Sequence, residues 1–107
     1  MRISQAHSDF QSAIERLHTI PEFSKLYSQD ELWKLFPLIV KESSLDNTKV
    51  SRTGAVGYMQ LKPDAITDAT HVLRNRYKIT KNYDKQNGAD NCLLGIIYYA
   101  IIQERIS

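Results

Sequence analysis

The chain has 107 residues, 42% of them hydrophobic and 24% charged, which suits one folded domain around one core rather than a disordered segment. Its formal charge of +2, from Lys and Arg scattered without a basic run, excludes the electrostatic footprint of a nucleic-acid binder. One cysteine, four glycines and three prolines exclude an internal disulfide framework and favour helices over a turn-rich β fold.

In chain order, residues 4–18 place Phe10, Ile14 and Leu17 at helical spacing between polar residues, which predicts an amphipathic helix. Pro21 restarts the chain. Ser28-Gln29-Asp30-Glu31 fits a capping box at the start of a helix carrying Leu32, Leu35, Phe36, Leu38, Ile39 and Val40. Pro37 interrupts that helix and kinks it or opens a fresh helical turn, with helix resuming to about Ser43. Residues 46–58 are rich in Asp, Asn, Thr, Ser and Gly and predict a loop with room for a short hairpin.

Pro63 and Asp64 suit the start of a further helix, which runs to about Arg74: proline needs no amide partner there, and aspartate favours the positive end of the dipole. Residues 81–91 are polar, contain Gly88, and predict another loop. The run from Cys92 to Ile102 is apolar almost all the way round, the mark of an enclosed helix. With the chain ending at Ser107, a partner or a missing segment is expected to cover residues 92–102. Cys92 within that run reads as a buried, inert thiol. His7, His18 and His71 lack metal-ligand spacing, so no metal and no cofactor are expected. No segment reaches the ~20 apolar residues that span a bilayer, and residues 1–7 contain no apolar signal core.

Leu35, Leu38, Ile39 and Glu42 fall at i, i+3, i+4 and i+7. If the helix persists past Pro37, Glu42 lies on its apolar stripe. A carboxyl group placed there is poorly solvated, and an acid that keeps its proton near neutrality can give it to a glycosidic oxygen. The alternative on periodicity alone is a glutamate that snorkels from the helix end to a backbone amide or a lysine.

Glu42-Ser43-Ser44 leads through the polar loop into Ser51-Arg52-Thr53-Gly54-Ala55-Val56-Gly57-Tyr58-Met59-Gln60-Leu61-Lys62-Pro63. Over roughly residues 32–63 this resembles the lytic transglycosylase family, relatives of goose-type lysozyme: an apolar helix ending in Glu-Ser, a nearby Ser, then Gly-Ala-x-Gly-x-Met-Gln and a helix-opening Pro. Asp84, Asn91, Gly95 and Tyr98-Tyr99 resemble the family's Asp…Asn-x-x-x-Gly-x-x-Tyr-Leu helix more loosely.

The resemblance implies a single all-α, lysozyme-like domain over residues 1–107, with the glycine-containing loop beside the catalytic glutamate. The family's later Ala-Tyr-Asn-x-Gly motif and closing helices are not in this sequence, so the domain is expected to be C-terminally short. By resemblance Glu42 is the acid/base that cleaves the bond between N-acetylmuramic acid and N-acetylglucosamine in peptidoglycan and forms 1,6-anhydromuramoyl ends. Ser51, Gly57, Tyr58, Met59, Gln60 and Lys62 then form the substrate-binding set. Ser51 matches the family serine near the substrate's N-acetyl group, and Gln60 matches the groove glutamine, with Met59 packing beneath it. Lys62 stands where many members carry a methionine.

Several readings stay open on the residues alone. Ser51 equally suits a turn cap, and Gly54 and Gly57 suit turning as well as close sugar approach. Asp46 is a candidate second carboxylate for hydrolysis, while Tyr27 and Trp33 are candidates for sugar stacking or for packing. A non-catalytic glycan-binding module of the same fold, or a goose-type hydrolase, is the alternative function. Action in the periplasm or cell wall is implied, with delivery by a virion, a secretion machine or an upstream segment.

Overall fold

A computed structural model describes residues 2–103, mainly helical throughout. Helix α1 (Arg2–His18) turns Ala6, Phe10, Ala13, Ile14 and Leu17 into the core, each without measurable exposure. This stripe contains the expected Phe10, Ile14 and Leu17, widened by two alanines. Pro21 opens the short helix α2 (Pro21–Leu26), and α3 (Gln29–Trp33) starts on the expected capping box: Ser28 Oγ accepts from the Glu31 amide and Glu31 accepts from the Ser28 amide.

Proline sets the boundary between α3 and the next helix. Pro37 has no amide hydrogen, and its ring would press on the carbonyl of Trp33 if the helix continued. The chain breaks after Trp33 and α4 (Pro37–Ser43) begins with Pro37 in its first turn. Ser44 ends α4 in the left-handed region at φ 54°, followed by Leu45 at φ 67°. The Ser44 amide returns to Val40 O and the Leu45 amide to Ile39 O, which satisfies the last helical carbonyls.

Residues 46–58 form a compact loop rather than a hairpin; two isolated antiparallel bridges, Val50 with Val56 and Val56 with Leu61, are the extent of its strand pairing. Helix α5 (Pro63–Arg76) follows, with Pro63 and Asp64 in its first turn as expected. The expected loop over residues 81–91 is shorter than its composition implied. Helix α6 (Gly88–Ile97) already begins at Gly88, because Asn87 Oδ1 caps the Asp90 amide at 3.0 Å and supplies a start that Gly88 alone would not. Beyond Ile97 the helix widens into a π-helical segment, Tyr98–Gln103.

Much of the run expected to need outside cover is buried within the chain itself, while Tyr98, Tyr99 and Ile102 stay half-buried. Residues 91–97, Ala100 and Ile101 are buried, and α1 and α5 of the same chain pack along α6 to bury them. The alanines of α1 matter here: small side chains let the two helices approach closely. Tyr27 and Trp33 belong to this packing. Trp33 sits 4.6 Å from the His7 ring and 5.0 Å from Phe10, while the Tyr27 hydroxyl donates to Ala100 O at 2.9 Å.

Asn91, without exposure inside this apolar helix, ties α6 to the loop. Its Oδ1 accepts from the Met59 amide at 2.9 Å, and its Nδ2 donates to Val56 O and Lys85 O at 3.0 and 2.9 Å. Asn91→Ala would strand the buried Met59 amide and remove bonds to Lys85 O and to Val56 O, which keeps the Leu61 amide, and an unsatisfied buried group costs about 1–3 kcal/mol. We expect a drop in the unfolding midpoint of at least about 5 °C by calorimetry; an unchanged midpoint would contradict this role for the asparagine.

Candidate active site

The loop that α6 holds faces the end of α4. Val56 and Leu61 exchange amide–carbonyl bonds at 3.0 Å, and residues 57–60 turn tightly between them. Gly57 takes φ 77° at this corner, and a Cβ there would collide with the Asn91 amide and lie 2.7 Å from Asn47 Oδ1. Asn47 completes the clamp: its Oδ1 accepts from the Tyr58 amide at 2.9 Å and its Nδ2 donates to Gln86 O at 2.8 Å. The turn is therefore held from both sides, by a loop asparagine and a helix asparagine.

On the outer side of this turn lies a groove of about 400 Å³, lined by Glu42, Gln60, Leu61, Lys62, Asp64, Ala65, Tyr98 and Tyr99. Glu42 occupies the last turn of α4 and is half-buried rather than enclosed. Its neighbour Ser43 turns inward, buried, and donates to Ile39 O at 2.9 Å. Lys49 does reach Glu42, but its Nζ donates to the backbone carbonyl at 3.1 Å. Among the described residues no hydrogen bond or ion pair engages the Glu42 carboxylate, so its acid end is left to the groove.

The structure brings three of the sequence-predicted site residues together. Glu42, Gln60 and Lys62 share the groove. Gln60 adopts φ 48°, and its Nε2 donates to Lys49 O and Gly57 O at 2.9 and 2.8 Å. Both partners are carbonyls, which fixes the nitrogen on that side and leaves the amide oxygen without a partner among the described residues. Lys62 is exposed at the start of α5.

The other four lie elsewhere. Met59 is fully buried under Gly95, where an added Cβ would sit 2.5 Å from its Cγ. Tyr58 is 3% exposed and donates its hydroxyl to Asp9 Oδ2 at 3.0 Å; burial first, then the Asp9 acceptor and its charge, push the phenol well above its ordinary range. Gly57 faces the two asparagines. Ser51 caps its own turn, with Oγ accepting from the Ala55 amide at 3.0 Å and 3.2 Å from Thr53 Oγ1. Asp46 also serves its turn, Oδ1 accepting from the Thr48 amide and hydroxyl at 2.9 and 2.6 Å.

Sequence reasoning did not assign Asp64, Tyr98 and Tyr99 to the groove, nor the clamping role to Asn47 and Asn91. For Asn91 a signal was present, since a lone amide heading an apolar helix must find buried partners. Asn47 carried none among its polar neighbours.

Tyr99 reports on the acid. Burial raises its phenol pKa most, then the negative charge of Glu42, then Tyr98. A negative neighbour disfavours the phenolate, so removing it lowers the titration midpoint. We expect Glu42→Gln to shift tyrosinate formation at Tyr99 to lower pH, read by ultraviolet titration against Tyr99→Phe; an unmoved midpoint would contradict the proximity.

Among the described residues no group of His, Cys, Asp and Glu is arranged to hold a metal ion, and no helix is long and apolar enough to cross a membrane. No curated protein and no solved structure matches the chain. The family described as Transglycosylase SLT domain matches residues 24–107, which takes in α4, the loop, α5 and α6. With the helical fold and the groove at the Glu-Ser end of α4, the chain belongs to the transglycosylase SLT domain family.

Proposed function

We propose that this protein cleaves the glycan strands of peptidoglycan as a lytic transglycosylase, with Glu42 as its single acid/base. The observation that carries the reading is the Glu42 carboxyl group, which opens onto the groove without a protein partner among the described residues. Family membership supplies the substrate class.

In the first half-reaction Glu42 protonates the oxygen between N-acetylmuramic acid and N-acetylglucosamine, and the C1–O bond breaks. The substrate's own N-acetyl group shields the positive charge at C1, the substrate-assisted exception to the two-carboxylate scheme. In the second half the muramoyl C6 hydroxyl attacks C1 and gives its proton to the Glu42 carboxylate. The 1,6-anhydro ring closes, the acid is restored, and no water is consumed.

The remaining side chains fit this division of labour. The free oxygen of Gln60 is placed to accept from a sugar hydroxyl or amide. The exposed ammonium of Lys62 attracts the carboxylates of the muramoyl peptide. Ser51, if it meets the N-acetyl group, must leave its turn to do so. Action at the cell wall follows from the substrate.

Two carboxylates near the end of α4 separate the mechanisms. Glu42→Gln removes the transferable proton and should reduce release of soluble fragments from peptidoglycan by about two to four orders of magnitude. Asp46→Asn, whose parent carboxylate is committed to Thr48, should retain most of the activity. Loss of activity in both variants would contradict the single-acid reading.

A further inference from the structure

The π-helical segment puts two consecutive tyrosines on the groove. In an α-helix neighbouring side chains diverge strongly around the axis, at 3.6 residues per turn. The i→i+5 turn is wider, so adjacent side chains diverge less. The change from α to π falls at Tyr98, and both Tyr98 and Tyr99 line the groove that holds Glu42. Their ring centroids are 5.3 Å apart and the planes meet at 85°, so the edge of one ring meets the face of the other.

Three core tyrosines turn their hydroxyls inside the protein: Tyr27 and Tyr58 donate to Ala100 O and Asp9, and Tyr77 buries its hydroxyl without a partner among the described residues. Neither Tyr98 nor Tyr99 makes a hydroxyl hydrogen bond among the described residues, and both are half-buried. Leu61 and Ala65 add apolar lining beside them. An apolar aromatic pair next to an unpaired acid suits a ligand with C–H bonds on one face and polar groups at its rim. A β-linked pyranose has that form, and its C–H face carries the partial positive charge that an aromatic face attracts.

We propose that Tyr98 and Tyr99 form a stacking platform for one pyranose residue of the glycan, set by the π-helical turn beside Glu42. The platform deepens the function proposed above and rests on it for the identity of the glycan. It orients the sugar by its ring face, while Glu42 and Gln60 meet its rim.

The test uses the β-1,4-linked trimer of N-acetylglucosamine and the Glu42→Gln protein, in which binding is separated from turnover. Nuclear Overhauser contacts between the Tyr98 and Tyr99 ring protons and the sugar ring C–H protons are expected. Tyr98→Phe and Tyr99→Phe should leave Kd within about twofold, whereas Tyr99→Leu should weaken it roughly three- to tenfold. The platform is overturned if the trimer shows no ring contacts, or if the Phe variants lose as much affinity as Leu, which would assign binding to the hydroxyls. The contact measurement requires no tyrosine variant to fold. Peptidoglycan cleavage by the wild type without ring contacts would remove the platform and leave the reaction; ring contacts without cleavage would do the reverse.

Discussion

Three hydrogen bonds from one buried amide hold the candidate site in place. Asn91 sits in the apolar helix α6 and joins it to Met59, Val56 and Lys85. An amide in that position is costly unless its partners are present, and the buried Met59 amide would itself be stranded without it. The same contacts explain Gly57, because any side chain there would displace the Asn91 amide. Met59 locked beneath Gly95 and Tyr58 bonded to Asp9 then seat the turn on α6 and α1. Glu42, Gln60 and Lys62 meet in one groove because the turn cannot move away from α4.

This arrangement carries local strain. Ser44, Leu45 and Gln60 all adopt left-handed backbone conformations, two directly after α4 and one beside Glu42 in the groove. Each costs about 1–3 kcal/mol and persists only where surrounding bonds over-determine it. Those bonds are present: the Ser44 and Leu45 amides return to Val40 and Ile39, and the Gln60 side chain bridges two loop carbonyls. The left-handed residues thus cluster at the end of α4 and beside Glu42, where the surrounding bonds fix the backbone before any ligand arrives.

Much of the fold was legible because local signals agreed with the packing. The Ser28–Glu31 capping box, the break at Pro37 and the start at Pro63 are covalent or capping constraints that tertiary contacts had no reason to override. The start of α6 was misread because Gly88 and its polar neighbours look like a loop, while the Asn87 cap acts through one side-chain oxygen. Apolarity reveals that a helix is enclosed but not by what, and here α1 and α5 bury most of residues 92–102. At the site, the Glu-Ser to Met-Gln register spans the residues, Glu42 and Gln60, that share the groove. It did not separate residues that line the groove from those that anchor the turn: Tyr58 is buried against Asp9, and Met59 packs inward as expected beneath Gln60. Tyr99 lines the groove from a π-helical segment that no periodicity announces.

Product chemistry tests the central claim, a single unpaired acid with no second carboxylate activating water, most directly. Purified peptidoglycan would be digested in isotopically labelled water and its soluble fragments weighed by mass spectrometry. A single acid predicts muropeptides ending in 1,6-anhydromuramoyl groups that carry no solvent oxygen. Reducing ends that have gained one labelled oxygen per cleavage would contradict it and make the protein a hydrolase.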